Sequence, residues 1–239
     1  MENFQLGSWI SVQVSCLIGS NRFYAILPHG VENLKNCVSA KEKGETLESL
    51  QVKHIPAKPY RVGDSIISSV LQEALQKEYA TNYYSHTTST VPSIGQIIIA
   101  RNPKDDRWYR GRVVADGESD HYAVFFLDFG DTHLVHQRSI RKPLGRFLVL
   151  PAQAVEMHLN GIDASDRKDE ISFLAKLVKE RDLVAKIVQE MPYVSVDLYY
   201  TTRKREINIA KEMTKRFPAL SAVDQKHLPQ YTSGNNIPG

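Results

Sequence analysis

The sequence predicts a mainly β protein with a few helices, on three observations. Runs in which apolar and polar residues alternate recur in short blocks, the period-two signature of half-buried strands. Between residues 95 and 136 four such blocks are separated only by tight turn signals, a spacing that predicts a small, strongly bent barrel. Apolar residues recur at helical spacing in only a few stretches.

The elements follow in order. From Trp9, the residues Ile10, Val12, Val14 and Cys16 point one way and Ser11, Gln13 and Ser15 the other. Gly19, Ser20 and Asn21 supply a turn, and 23–27 is the return strand of a hairpin. Pro28, His29 and Gly30 end it. Residues 32–59 are polar and charge-rich, with a short helix or excursion at 45–50. Asp64 is the N-cap candidate of a helix over about 65–80, whose stripe is Ile67, Val70, Leu71, Ala74, Leu75 and Tyr79. A Ser/Thr/Tyr-rich loop spans 82–92. Strands follow at 95–101, 107–115, 122–128 and 132–136, divided by Asn102-Pro103, Asp116-Gly117 and Gly130-Asp131. After Pro151, 154–159 is a strand. Ser165 or Asp166 caps a helix with Ile171, Leu174, Ala175 and Val178 on its face. Strands at 183–188 and 193–200, a turn at 203–205 and a short helix including 211–216 complete the fold. The tail from Ala219 has too little apolar content to fold.

Composition excludes more than it selects. The 239 residues include 30 Lys plus Arg against 27 Asp plus Glu, a net charge of +3. That is too small to predict a polyanion-binding protein from bulk electrostatics. Cys16 and Cys37 cannot build a disulfide framework or a four-cysteine zinc site, and are read as reduced thiols of an intracellular protein. The first eight residues lack the form of a signal peptide, and no apolar run approaches the roughly 20 residues that span a bilayer.

Two runs carry a resemblance: Arg107-Trp108-Tyr109-Arg110-Gly111-Arg112-Val113, and Val124-Phe125-Phe126-Leu127-Asp128-Phe129-Gly130-Asp131. Together they resemble the signature of Tudor domains. Leu150-Pro151-Ala152-Gln153-Ala154 and Leu159 resemble the segment leaving the core of an extended Tudor domain, and the 12–27 hairpin resembles the strands that precede it. The resemblance covers about 8–217. It implies a Tudor barrel inserted into a split barrel of the oligonucleotide-binding, staphylococcal-nuclease-like type, joined by a linker helix. On that plan 8–60 and 147–218 are the halves of the outer barrel, 61–90 the linker helix and loop, 91–146 the Tudor core and 219–239 a disordered tail.

The resemblance further implies a binding module for methylated or unmodified arginine in peptides. Its device is an aromatic cage, in which ring faces attract a delocalised cation while a polar rim group accepts the remaining N–H. Carried over by position, Tyr109, Phe126 and Phe129 are the cage rings and Asp131 the rim. The fourth wall departs from the pattern, because Asn102 and Pro103 stand where the family has an aromatic. Asp131 also replaces the commoner Asn. Both departures weaken the preference for dimethylarginine. Trp108 and Phe125 are assigned to packing, and Asp128 to anchoring its strand end by hydrogen bonds or an Arg112 pair.

The implied partner is the arginine-rich N-terminal tail of a PIWI-type Argonaute, bound between the barrels, with any RNA engaged indirectly. The implied role is a scaffold in germline small-RNA silencing, in cytoplasmic, perinuclear germ granules. Three other readings compete. A nuclease needs clustered carboxylates, but Asp163, Asp166, Asp169 and Glu170 stand at a helix start, where acids serve the helix dipole, so no enzyme is expected. A single-stranded RNA module would use Arg138, Arg141, Lys142 and Arg146, or 203–205. A degenerate Tudor would scaffold or oligomerise without a working cage. His133 and His136 are read as two solvated side chains, with no metal, cofactor or membrane partner expected.

Overall fold

Strand alternation decides what each of two sheets buries. The computed structural model describes residues 4, 6–27, 66–81, 91–179, 181–202 and 205–222. Their order is β1 (Trp9–Leu17), β2 (Arg22–Ile26), α1 (Ile66–Thr81), β3 (Ile97–Arg101), β4 (Trp108–Asp116), β5 (His121–Phe126), β6 (Thr132–His136) and β7 (Ile140–Arg141). Then come β8 (Ala154–Leu159), α2 (Lys168–Val178), β9 (Leu183–Gln189), β10 (Val194–Thr201), β11 (Glu206–Asn208) and α3 (Ile209–Arg216).

The smaller unit is a five-stranded antiparallel barrel ordered β6-β5-β4-β3-β7. Ile98, Ala100, Tyr109, Val113, Val124 and Phe126 fill its core. Gly111 lies on the same inward face of β4, and a methyl there would overlap Val124. So narrow an interior leaves no room for a side chain at that position.

The larger sheet runs β11-β10-β8-β2-β1-β9, and β9 pairs back onto β10. Five of its strands thereby close a ring, which leaves few open edges. The strands before and after the small barrel in the chain build this ring, around Val12, Phe23, Met157, Ala185, Ile187 and Leu198. Helices α2 and α3 add Leu174, Leu177, Ile209 and Met213 to the same core.

Several details differ from the sequence expectation. Helix α2 begins at Lys168 with Arg167 at its N-cap and no side-chain cap, so neither Ser165 nor Asp166 fills that role. Its buried residues are Glu170, Leu174 and Leu177; Arg167 lies 3.4 Å from Glu170 Oε1 and offsets part of the cost of burying the acid, whose Oε2 has no partner among the described residues. Ordered chain continues past 219, because Leu220 is buried and Ser221 bridges Ile162. Asp64, the 45–50 excursion, the 82–90 loop, Cys37, Arg203, Lys204 and residues 223–239 lie outside the described residues. Cys16 is a free thiol. Among the described residues no helix is long and apolar enough to cross a membrane.

Helix α1 seats Leu71, Leu75 and Tyr79 on Ile99, Trp108, Phe147 and Leu150. Gln76 clamps the backbone of Trp108: its Nε2 donates to the carbonyl at 2.7 Å and its Oε1 accepts from the amide at 2.9 Å. The Tyr79 hydroxyl donates to Lys142 O and accepts from Leu144 N, both at 3.0 Å.

Beneath this layer Arg110 and Asp128 form an ion pair with side chains only 2% and 1% exposed. Arg110 Nε and Nη2 donate to the two carboxylate oxygens at 3.0 and 2.5 Å. Nη1 donates to Phe147 O and Leu150 O at 3.0 and 2.5 Å, and Nη2 also donates to Pro151 O at 2.9 Å. All five guanidinium N–H groups therefore have acceptors, the condition under which a buried arginine is tolerated. The partner of Asp128 is Arg110, whereas Arg112 sits 5.7 Å over the Phe125 ring. Replacing Arg110 by Met would leave a buried carboxylate without its cation and remove the guanidinium donors of Phe147 O and Leu150 O, while Pro151 O keeps Gln153 Nε2 at 2.7 Å. Urea denaturation of Arg110→Met is expected to show a loss of about 3–5 kcal/mol; a loss below about 1 kcal/mol would refute this role.

Candidate functional site

The site is built on the turn that ends β5. Phe129 and Gly130 N–H groups both donate to Phe126 O, at 3.2 and 2.8 Å, and Phe126 N donates to Asp131 O at 2.8 Å. This knot brings Phe126, Phe129 and Asp131 beside one another. Gly130 makes it possible with φ +84°, in the left-handed region that glycine adopts without strain.

The same turn is where the two barrels touch. Gly130 lies against the Tyr24 ring of β2, so that any side chain at 130 would overlap it. Ser15 Oγ donates to Phe129 O at 2.7 Å, and the Tyr24 and Phe125 rings are 5.3 Å apart. Phe125 is thus an interface side chain between the barrels.

The three predicted rings do come together. Tyr109 meets Phe129 at 5.1 Å between centroids and Phe126 at 5.9 Å, both near perpendicular, at 78° and 81°. Such edge-to-face contacts are favourable in themselves. They also mean that the rings close on one another and do not frame open space. Phe126 is 0% exposed and Tyr109 6%, and both belong to the small barrel's core, while Phe129 is half-buried against it. The Tyr109 hydroxyl donates to the Asp105 carboxylate. Burial, then the bond to Asp105, push its pKa well up.

Asp131 is the charged group at this junction. Its Oδ2 lies 2.9 Å from His133 Nε2, and the His133 ring lies 6.0 Å from that of Phe126. The other oxygen, Oδ1, is buried with no hydrogen-bond partner among the described residues. An unsatisfied buried carboxylate oxygen is costly, and a donor brought to it is correspondingly favourable. Burial, then the charge of Asp131, raise the pKa of the nearby Cys16 thiol.

Neither Asn102 nor Pro103 supplies a fourth ring. Asn102 is buried, but its Oδ1 accepts from Lys104 N at 2.9 Å and holds the β3–β4 turn. Pro103 is exposed. The loop contributes Asp105, bonded to Tyr109, in place of a ring.

A cleft of about 690 Å³ opens between the barrels. Cys16, Arg22 and Tyr24 line it from the ring barrel, and Lys104, Asp131 and His133 from the small one. Asp131 is the predicted site residue in its lining; Tyr109, Phe126 and Phe129 lie behind it. Sequence reasoning missed Tyr24, Lys104, Asp105 and His133. Only His133 left a signal, since it stands two residues from Asp131 in an alternating strand.

Other expectations are corrected here. His133 and His136 are not free in solvent: His133 holds Asp131, and His136 lies 4.9 Å from the His121 ring and accepts from Arg138 N. Two members of the basic cluster after the small barrel are engaged in the fold, while Arg138 and Lys142 are exposed. Arg141 is buried, 5.0 Å over the Trp108 ring and donating to Arg138 O and Ile140 O. Arg146 pairs with Glu78. Among the described residues no group of three or more His, Cys, Asp or Glu side chains is placed to hold a metal ion.

The fold and site define a class. The chain has the fold of extended Tudor domains. It superposes on extended Tudor domain TD3 of mouse TDRD1, solved with a MILI peptide containing dimethylarginine, with a TM-score of 0.68 at 19% identity over 90% of this chain and 93% of that one. A variant of the Drosophila melanogaster Papi extended Tudor domain, solved with a Piwi N-terminal peptide, gives 0.60 at 21% identity over 87% and 97%. Residues 62–161 match the Tudor domain family model, and the chain therefore carries a Tudor domain. The human Tudor and KH domain-containing protein is 28% identical over 171 residues, which is 64% of this chain and 30% of that protein. The chain thus spans less than a third of that relative's length.

Gly130 is the most demanding position of the site. Gly130→Ala is expected to lower stability by about 1–3 kcal/mol in chemical denaturation, from ring overlap together with the left-handed backbone. Adding Tyr24→Ala should recover part of the loss. An unchanged midpoint for Gly130→Ala would show that the barrels do not meet there.

Proposed function

We propose that the chain is a non-catalytic module that binds an arginine side chain of a peptide at Asp131, beside the Tyr109, Phe126 and Phe129 rings. One observation carries this reading. Asp131 lines a cleft between two barrels next to aromatic rings, and one oxygen of its carboxylate is buried without a donor among the described residues. A guanidinium supplies what is lacking, namely N–H donors, a positive charge and a flat apolar face. The extended Tudor domains solved with dimethylarginine-containing and Piwi peptides support the choice of ligand.

The finer assignments rest on that likeness. The outer ring of strands is a split barrel of the oligonucleotide-binding, nuclease-like type without catalysis, and α1 is the linker to the Tudor core. The division is 8–60 and 147–218 for the outer barrel, 61–90 for the linker and 91–146 for the core. The partner is an arginine-rich N-terminal tail of a PIWI-type Argonaute, and the setting is small-RNA silencing in cytoplasmic germ granules.

Methylation preference follows from the ring count. With three rings and no fourth wall among the described residues, methyl groups gain less contact, while the full charge of Asp131 attracts any arginine. Unmodified arginine is therefore expected to compete well with the symmetric dimethyl form. Titration calorimetry with one Arg-Gly/Ala peptide in both forms tests this, and a preference above about a hundredfold for the dimethylated peptide would contradict it.

Phe129→Ala removes the half-buried ring without opening the core. It should weaken binding by about 0.5–2 kcal/mol, roughly two- to thirtyfold in Kd. Asp131→Ala should weaken it more. Phe126→Ala is a test of folding, because that ring is fully buried. If neither Phe129→Ala nor Asp131→Ala alters peptide affinity, the proposed site is wrong. Tight, steeply salt-dependent binding of single-stranded RNA would favour the nucleic-acid reading instead.

A further inference from the structure

Asp131 does not present a whole carboxylate to the site. Its Oδ2 is engaged by His133 Nε2 at 2.9 Å, and Oδ1 has no partner among the described residues. Two features place His133. Its ring lies 6.0 Å from the fully buried Phe126 ring, and its backbone is registered opposite Val124 in the β5–β6 ladder. Only about a third of its side chain is exposed. The imidazole is a fixed part of the wall of the cleft.

A carboxylate with two free oxygens takes an arginine by a fork, two parallel N–H bonds from one edge of the guanidinium. With His133 on Oδ2 a fork must share that oxygen with the imidazole, and a guest meets only one unshared acceptor. This difference bears unequally on the methylation states. Unmodified arginine has two edges that present paired N–H groups. Symmetric dimethylation replaces one N–H on each terminal nitrogen, and always removes at least one of those edges. A second free acceptor therefore favours the unmodified guest, and an occupied one withholds that advantage.

We infer that His133 is a specificity-determining residue, which sets how the site ranks unmodified against symmetrically dimethylated arginine by occupying one oxygen of Asp131. The inference rests on the arginine-binding reading above and adds to it the residue that tunes selectivity. His133 acts through Asp131 and does not itself contact the guest's paired N–H groups. Its imidazole is the group that any variant must keep or remove.

Two substitutions separate this role from a merely structural one. His133→Gln keeps an N–H donor within reach of Oδ2, and His133→Leu keeps bulk but no donor. Kd is measured by calorimetry for the wild-type chain and both variants, against the same peptide carrying unmodified or symmetrically dimethylated arginine, with thermal unfolding recorded for each. In His133→Leu the ratio of affinities should move toward the unmodified peptide by about fivefold or more, and in His133→Gln it should stay within about twofold of wild type. An unchanged ratio in His133→Leu, or a shift of equal size in both variants, overturns the inference while leaving arginine binding intact. If the wild-type chain binds neither peptide, the arginine-binding reading itself has failed, and the inference with it.

Discussion

The pairing of Arg110 with Asp128 is the constraint on which the rest of the site depends. It is buried to 2% and 1% exposure, where a pair without further hydrogen bonds would be a net cost. The cost is offset because the guanidinium reaches Phe147 O, Leu150 O and Pro151 O as well as the carboxylate. One side chain of β4 thus fastens the end of β5 to the segment by which the chain leaves the small barrel for β8. Gln153 N adds a 3.3 Å bond to the same carboxylate. Three chain segments distant in sequence meet on one planar group.

The site inherits its geometry from that anchor. Asp128 is three residues before Asp131, so the Arg110 pair fixes the turn at its start. The bond from Ser15 Oγ to Phe129 O and the seat of Gly130 on Tyr24 fix it in the middle. Phe126 N on Asp131 O fixes its end. Both barrels therefore contribute to the position of one carboxylate, although Asp131 and its neighbouring rings all come from the small barrel. Neither barrel alone would define the cleft that Asp131 borders.

Much of this was legible in the strand pattern, and the failures have physical reasons. The strand at 132–136 and its neighbours follow from alternation and turn dipeptides, and the meeting of Tyr109, Phe126 and Phe129 follows from motif position. The sequence offers Arg112 as a partner of Asp128, and the structure gives Arg110. The two arginines are two residues apart on one strand and share a face, so alternation alone does not decide between them. Phe125 is a packing residue as expected, but alternation gives a residue's face and not the identity of what covers it, here Tyr24 of the other barrel. The His133 contact obeyed the period-two rule, but spacing to His136 drew attention from spacing to Asp131. Glu170 in the buried face of α2 contradicts any hydropathy reading, and needed Arg167 outside the helix to explain it.

The closure of the rings sets the energetics of any guest. Tyr109, Phe126 and Phe129 satisfy one another edge to face, so a cation entering among them must break ring contacts worth about 0.5–1.5 kcal/mol each. That loss is comparable with what one cation–π contact returns, so the rings alone provide little net affinity. The balance then falls to Asp131, whose orphaned oxygen is already a liability in the unbound chain. A donor delivered there relieves a cost that folding has left in place. Phe129 is the least buried of the three rings, and it is the wall able to yield without disturbing the core. Net charge acts in the same direction. With 30 cationic against 27 anionic side chains, the chain as a whole neither strongly attracts nor repels an arginine-rich segment. On the proposed function, selection for arginine would then come from a single local group, the half-occupied carboxylate of Asp131.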